Sequence, residues 1–367
     1  MSSQMNQVRF SPARTLAYSC MYPMYPKCVY TTTYVFTYMY QHTSTHFFPP
    51  CTGKNAAPPL PDSLCEDIIK EASEKKYDTL FKAMESLRGE MNGWAKRSFY
   101  VDLAAEHWDL NAPESLDTCP DTAAGNLFKG VYFINRAWDV RGGDLAHKVK
   151  ESAWPTFQSC LETARDALLR SASQDQEDPT PHANLCGAVA KGLQVESCLK
   201  KEWFLEAVKR DPLNEKAHAG RLSNLCRKWG GSHLEMHTFA EETVKKAPQG
   251  STLKMIQYDA FYEQWLFLYS ITKNKPETKK FLNDQRTKNI SMSLYKEVIE
   301  AHTIQDVSDV SPHVRAAQWL LILGAKQEVA KELEKLRPWR KIIEDGIVGK
   351  ALEDPASIDS LIQQLSA

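Results

Sequence analysis

Two short runs in this chain set groups capable of chemistry beside backbone that can approach a ligand closely. Arg141-Gly142-Gly143 follows Trp138 and Asp139; Trp229-Gly230-Gly231-Ser232-His233-Leu234-Glu235 is followed one helical turn later by His237. Paired glycines permit left-handed backbone at helix ends, and helix amino termini attract anions. If the two runs meet in space, Arg141 would hold an anion and His233 would act as a base, with Asp139 or Glu235 to orient it. His233 and His237 also stand one turn apart as metal ligands do, but no HExxH glutamate and no carboxylate at a telling spacing completes that set. A plainer account uses the same residues. Gly-Gly stops one helix, Ser232 and Glu235 form the capping box that starts another, and an arginine ties a helix end to a neighbouring carboxylate. The chain has no phosphate loop, dinucleotide fingerprint or nucleophile elbow. No catalytic residue, metal or cofactor is therefore assigned.

The elements that must position these runs are helices. Taking Pro212 as the last position of a tetratricopeptide unit of about 34 residues, Ala188, Phe204 and Ala207 fall on its small, aromatic and small packing positions. Lys200 stands where another small residue is expected, and Asn184 and Lys191 occupy the tryptophan and tyrosine slots. Asp211-Pro212-Leu213-Asn214 ends one helix and opens the next, because the residue before proline avoids the helical region and proline favours a first turn. Ala247-Pro248 repeats that stop 36 residues on, close to one unit.

Ala137-Trp138-Asp139-Val140-Arg141-Gly142-Gly143, then Asp211-Pro212-Leu213-Asn214 with Ala217-His218, then Lys228-Trp229-Gly230-Gly231-Ser232-His233 occur in that order. Together they resemble an uncharacterised, largely bacterial family, domain of unknown function number four thousand and thirty-four, related to the tetratricopeptide repeats. The likeness spans roughly residues 62–260. It implies a helical-repeat fold, and it brings no catalytic residues with it.

Composition narrows the class further. The chain has 367 residues, 45 Lys and Arg against 46 Asp and Glu, and 9 cysteines. Four of the basic residues (Arg9, Arg14, Lys27 and Lys54) lie before position 62, where no acidic residue occurs, which leaves 41 against 46 in the remainder. A nucleic-acid binder carries a basic surplus, so no nucleic-acid partner is expected. None of the cysteines forms a CxxC pair. Their odd number and irregular spacing predict free thiols in a reducing compartment.

Residues 1–61 are rich in Tyr, Thr, Pro and Met and read as a disordered or low-complexity extension, with a transit peptide as the alternative. Residues 62–170 form an amino-terminal helical region, and 171–367 the repeat region with carboxy-terminal capping helices. Ser63 with Glu66 predicts a capped first helix. The stripe Leu127, Phe128, Val131, Tyr132, Ile134, Ala137 and Trp138 predicts a core helix. Asp144 is placed as the cap of a long helix that Trp154-Pro155 interrupts, and acidic 171–181 as a solvated loop. The segment 252–271 holds more aromatic residues than one buried stripe needs. Part of it is expected to line a concave groove that receives a peptide. A final helix is expected within 342–365.

The sequence thus predicts an all-α protein of antiparallel helix pairs, a tetratricopeptide-like α-solenoid acting as a protein–protein interaction scaffold. Arg141, Trp229, His233, Tyr258, Tyr262 and Trp265 are the expected partner-binding residues. The partner would be a protein or peptide, with no membrane span, since no run reaches 18 apolar residues. An enzyme with a site at the Gly-Gly loops and an organellar assembly factor are the alternatives. The expected compartment is the cytoplasm, or an organelle if residues 1–61 are removed on import.

Overall fold

The computed structural model describes residues 61–90, 92–143, 146–339 and 342. The expected extension at 1–61 and the final helix at 342–365 lie outside the described residues apart from Pro61 and Ile342. All regular structure among the described residues is helical.

The amino-terminal region comprises α1 (Ser63–Ser73), α2 (Asp78–Ser86), α3 (Gly93–His107), α4 (Ala123–Arg141) and α5 (Trp154–Gln174). The cap of α1 is Asp62, one residue earlier than expected: its Oδ1 accepts from the Leu64 amide at 3.0 Å while Oδ2 accepts from the Tyr100 hydroxyl at 2.6 Å. One carboxylate thereby satisfies an orphan helix donor and fastens α1 to α3. In α4 the predicted stripe is core throughout, with Leu127, Phe128, Tyr132, Ile134 and Ala137 at 0 % exposure. The antiparallel partner α5 approaches closely at Gly130, where a Cβ would stand 2.5 Å from Leu168 Cγ. Pro155 opens α5 rather than interrupting an earlier helix, because a proline in the first turn gives up an N–H that has no partner there anyway.

The segment after α5 departs most from expectation. Asp175 and Asp178, placed in a solvated loop by composition, are 6 % and 0 % exposed. Arg97, itself 2 % exposed, sets its Nε 3.0 Å from Asp178 Oδ2, and Arg88 pairs with Asp175. Burying a carboxylate requires a matched cation and satisfied oxygens; Asp178 Oδ1 also accepts from the Thr180 amide at 2.8 Å. This acid pair ties the amino-terminal helices to the first repeat.

The repeats follow as helix pairs: α6 (180–192) with α7 (Ser197–Arg210), α8 (Glu215–Leu225) with α9 (His233–Lys246), and α10 (256–271) with α11 (Lys275–Asn283). Then come α12 (285–299), α13 (Val310–Leu323) and α14 (Lys326–Leu336). Ala188 and Ala207 are buried at the α6–α7 contact, and Phe204 packs edge-on to His218 and Phe239. Asn214 caps α8, accepting from the Ala217 amide at 2.9 Å. Where α6 crosses α8 the backbones nearly touch: a Cβ on Gly220 would lie 3.0 Å from Gly187 Cα. There α6 widens into a π-turn, Leu185–Val189. Such a turn breaks the i→i−4 ladder, and the Cys186 carbonyl accepts from Asn224 Nδ2 at 2.5 Å. The main hydrophobic core is continuous from Cys65 to Trp339, with a satellite cluster between α8, α9 and α10. Cys65, Cys119, Cys160, Cys186 and Cys226 are free and buried, and Cys198 is free and exposed.

Candidate functional site

The ends of α4 and α8 meet through their tryptophans. Trp138 and Trp229 lie edge to face with ring centroids 6.3 Å apart. Both Gly-Gly turns begin at positive φ, but only Gly230 is left-handed as expected, with φ +92° and ψ 0°; Gly142 has φ +71° and ψ 177°. The ring of Trp138 also packs edge-on against Phe157 and stands over Gly192, where an added Cβ would come 3.4 Å from Trp138 Cζ2. Around this contact, cations alternate with aromatic faces. The Arg141 guanidinium lies 5.6 Å from the Trp138 ring centroid and 5.8 Å from that of Trp154, and Lys191 Nζ lies 5.8 Å from that of Trp229. Each is a cation–π contact.

Lys191, the mismatch in the tyrosine slot of the repeat, is 4 % exposed and donates to Ser223 Oγ at 3.3 Å. Burial, with the Lys228 charge beside it, pushes its ammonium down to about 8, partly opposed by Glu263. Lys228 is held by Glu263 at 2.5 Å, both side chains buried. The ionic interior continues past α8 and α10: Arg315 of α13 donates to Asp259 Oδ2 at 3.2 Å and pairs with Glu215. Burial raises Asp259 to about 6, against the pull of Arg315. The repeat region thus carries a ribbon of paired charges through its middle, with the buried Lys191 beside it.

His233 is not oriented as a base. Ser232 caps α9 as expected, accepting from the Glu235 amide at 3.1 Å, and its own hydroxyl donates to Glu235 Oε2 at 2.8 Å. That engages the carboxylate expected to steer His233. The His233 ring instead meets Phe267 edge to face at 5.0 Å, and its two buried nitrogens have no hydrogen-bond partner among the described residues. Burial, with His237 and Arg227 adding like charge, pushes it down to about 4. It is a neutral ring at neutral pH, without the carboxylate that acid–base work would need. His237 faces Gln264 Oε1 at 2.5 Å, so the two histidines of α9 do not converge. No group of three or more His, Cys, Asp or Glu side chains among the described residues could hold a metal ion.

The expected partner-binding residues divide. Arg141, Trp229, His233 and Trp265 are half-buried. Tyr258 and Tyr262, at 1 % and 5 % exposure, are core side chains out of reach of any partner. The Tyr258 hydroxyl donates to the Ser291 carbonyl at 2.6 Å, and burial pushes both phenols well above their usual range. The aromatic surplus of 252–271 alone does not tell which of its rings face a groove. Helix α10 packs on its neighbours over most of its surface, and the aromatic surplus emerges only at its last turn. There Trp265 stacks on Tyr269 with ring centroids 5.1 Å apart and planes at 9°, and Tyr269 is 52 % exposed. Leu234, in the first turn of α9 beside the His233–Phe267 contact, is 78 % exposed. The exposed Tyr269 and Leu234 therefore belong to the same end of the α9–α10 pair. No helix among the described residues is long and apolar enough to cross a membrane. Comparison of the chain with protein-family models, with curated proteins and with solved structures finds no match.

Proposed function

We propose that the chain is a protein–protein interaction scaffold of tetratricopeptide-like helix pairs, with its docking surface at the outer end of α9 and α10. The observation that carries this reading is the Trp265–Tyr269 stack, a rigid aromatic pair half open to solvent. An aromatic side chain already held by a stacked neighbour loses little conformational freedom on binding. Aromatic anchors of this kind dominate interface energetics. Leu234 supplies apolar area at the same end, and Arg227, whose guanidinium lies 5.0 Å from the Phe267 centroid, supplies a cation at its rim. Such a surface suits an extended or helical peptide with an apolar anchor. The proposal includes the family likeness drawn from the three ordered motifs, and the cytoplasm as compartment, with an organelle as the alternative.

The test is affinity capture with the full chain beside two variants, Tyr269→Ala and Leu234→Asp, each confirmed as folded by its melting curve. A partner retained by the parent and reduced at least tenfold by both variants supports the reading. A partner held equally by all three places docking elsewhere, and the proposed surface is then wrong.

A further inference from the structure

A buried relay at the carboxy-terminal corner of the fold serves neither the Gly-Gly junctions nor the aromatic surface. Glu332 of α14 and His313 of α13 are both 0 % exposed, and His313 Nδ1 is bonded to Glu332 Oε2. The other oxygen, Oε1, accepts from the Tyr295 hydroxyl at 3.0 Å and lies 3.0 Å from Lys335 Nζ. Burial and the Glu332 charge push the Tyr295 hydroxyl well above the usual phenol range, so it remains the donor. With Oε1 accepting from the phenol and facing the ammonium, Oε2 is the acceptor toward the imidazole, and His313 carries its proton on Nδ1. His313 Nε2 is left as an acceptor. It meets His302 Nδ1 at 3.0 Å, and His302 must donate there.

On the far side of His302, Nε2 faces Asp309 Oδ1 at 3.6 Å. Asp309 is fixed as an acceptor, since its Oδ2 takes the Gln305 amide at 2.9 Å and the Asp306 amide at 3.4 Å. With a neutral His302, a bare nitrogen lone pair would look at a carboxylate. One added proton on Nε2 turns that opposition into an ion pair and leaves every other bond in place. A second proton has nowhere to go except His313 Nε2, where two N–H groups and two like charges would face each other across 3.0 Å.

We propose that Asp309, His302, His313, Glu332 and Tyr295 form a one-proton latch that fastens α14 to the α12–α13 corner and opens when the imidazole pair takes a second proton. Lys335 is the mechanical part of the latch. Besides reaching Glu332, its ammonium donates to the carbonyls of Ile299, Glu300 and His302 at 2.9, 3.1 and 3.1 Å, closing the end of α12. The remaining charges around the pair are balanced. Asp306 is paired with Lys96 of α3 at 2.9 Å and Glu300 with Lys331 at 3.2 Å. Glu328 of α14 and Tyr258 of α10 complete the titratable surroundings on the Tyr295 side.

Histidine nitrogen NMR on the full chain, paired with amide hydrogen exchange of α14 and α4 from pH 7.5 to 4.5, tests the latch. The expected result is that His302 carries protons on both nitrogens while His313 Nε2 stays bare for as long as α14 is protected. Protection of α14 then falls at least tenfold, corrected for intrinsic exchange, as His313 Nε2 becomes protonated, and α4 keeps its protection. His302→Gln is the second arm: an amide can turn either its N–H or its oxygen toward His313, so α14 protection should change less than twofold over the same range. A doubly protonated pair beneath a still-protected α14 would overturn the proposal. So would a His302→Gln chain in which α14 still lost its protection over the same pH range as in the parent. The first readout needs no variant, so a His302→Gln chain that failed to fold would not shelter the idea.

Discussion

The two double-glycine junctions have the same dipeptide after an aromatic helix end, and they do different work. After α4, neither Gly142 nor Gly143 has an atom of the described residues beyond its chain neighbours within 4 Å of where a Cβ would stand. That turn is open, and glycine is needed there only for the positive φ of Gly142. After α8, Gly230 likewise supplies positive φ in open space, but Gly231 does not have it. Gly231 is there because the chain doubles back onto its own helix. A Cβ would lie 2.1 Å from the Leu225 carbonyl oxygen, 2.5 Å from its carbon and 2.8 Å from its Cα. The neighbouring charges follow the same division. Arg141 is half-buried on tryptophan faces, whereas Lys228 and Lys191 are inside the protein. One junction ends a helix at the surface, and the other is the corner on which the repeats turn.

Alanine at the second position of each junction separates them most. Gly231→Ala meets three backbone atoms that cannot rotate aside, and the end of α8 must move to admit it. The expected loss is about 4 kcal/mol or the whole fold, in the range reserved for a named structural failure. Gly143→Ala should fall within about 0.5 kcal/mol of the parent, as exposed substitutions do. Urea unfolding of both variants reads the difference directly. Equal midpoints would mean the two turns are interchangeable.

The next contrast is electrostatic. Glu263→Gln leaves the Lys228 ammonium buried without its countercharge, which costs about 3 kcal/mol, while removing both charges with Lys228→Met and Glu263→Leu should recover most of that. Arg141→Met at the first junction should cost no more than about 1 kcal/mol, since its half-buried guanidinium rests on two tryptophan faces and donates to the Gly142 carbonyl at 3.0 Å without balancing a buried charge. If Glu263→Gln were as mild as Arg141→Met, the charged ribbon between the repeats would be no more than surface chemistry.

Much of this was legible in the sequence, for physical reasons that can be named. Helix stops and starts are local, so the Ser232 cap, the break at Asp211–Asn214 and the positive φ of Gly142 and Gly230 are visible in runs of three to five residues. The stripe of α4 is equally plain, because burial on one face imposes a period. The charged interior was visible only as an anomaly: Lys191 stood in a tyrosine slot and Asn184 in a tryptophan slot, and both are buried at 4 % and 3 % exposure. A poor match to a packing pattern is the signal of a polar core here, and by itself it looks the same as a degenerate repeat. Asp178 gave no signal at all. Its partner Arg97 sits in a distant helix, and an acidic stretch between two helices looks the same whether water or a guanidinium faces it. The same limit applies to Tyr258, Tyr262 and Tyr269. Their types are alike, and only the neighbours of α10 decide that two are core and one is surface.

The first glycine of each junction gives the most specific contrast. Both have positive φ and no atom of the described residues beyond their chain neighbours within 4 Å of an added Cβ, so alanine at either position is penalised by backbone strain alone. Their ψ angles separate them: Gly230, at φ +92° and ψ 0°, is left-handed, whereas Gly142, at φ +71° and ψ 177°, lies in a region that is essentially glycine's alone. Gly142→Ala should therefore cost about 2–3 kcal/mol, with little recovered by asparagine. Gly230→Ala should cost about 1 kcal/mol, and asparagine, which tolerates the left-handed region better than alanine, should recover about half of it. Thermal unfolding of the four variants measures this. If the two alanine variants matched and asparagine rescued both, the two turns would share one kind of backbone strain, and the contrast between their first glycines would fail.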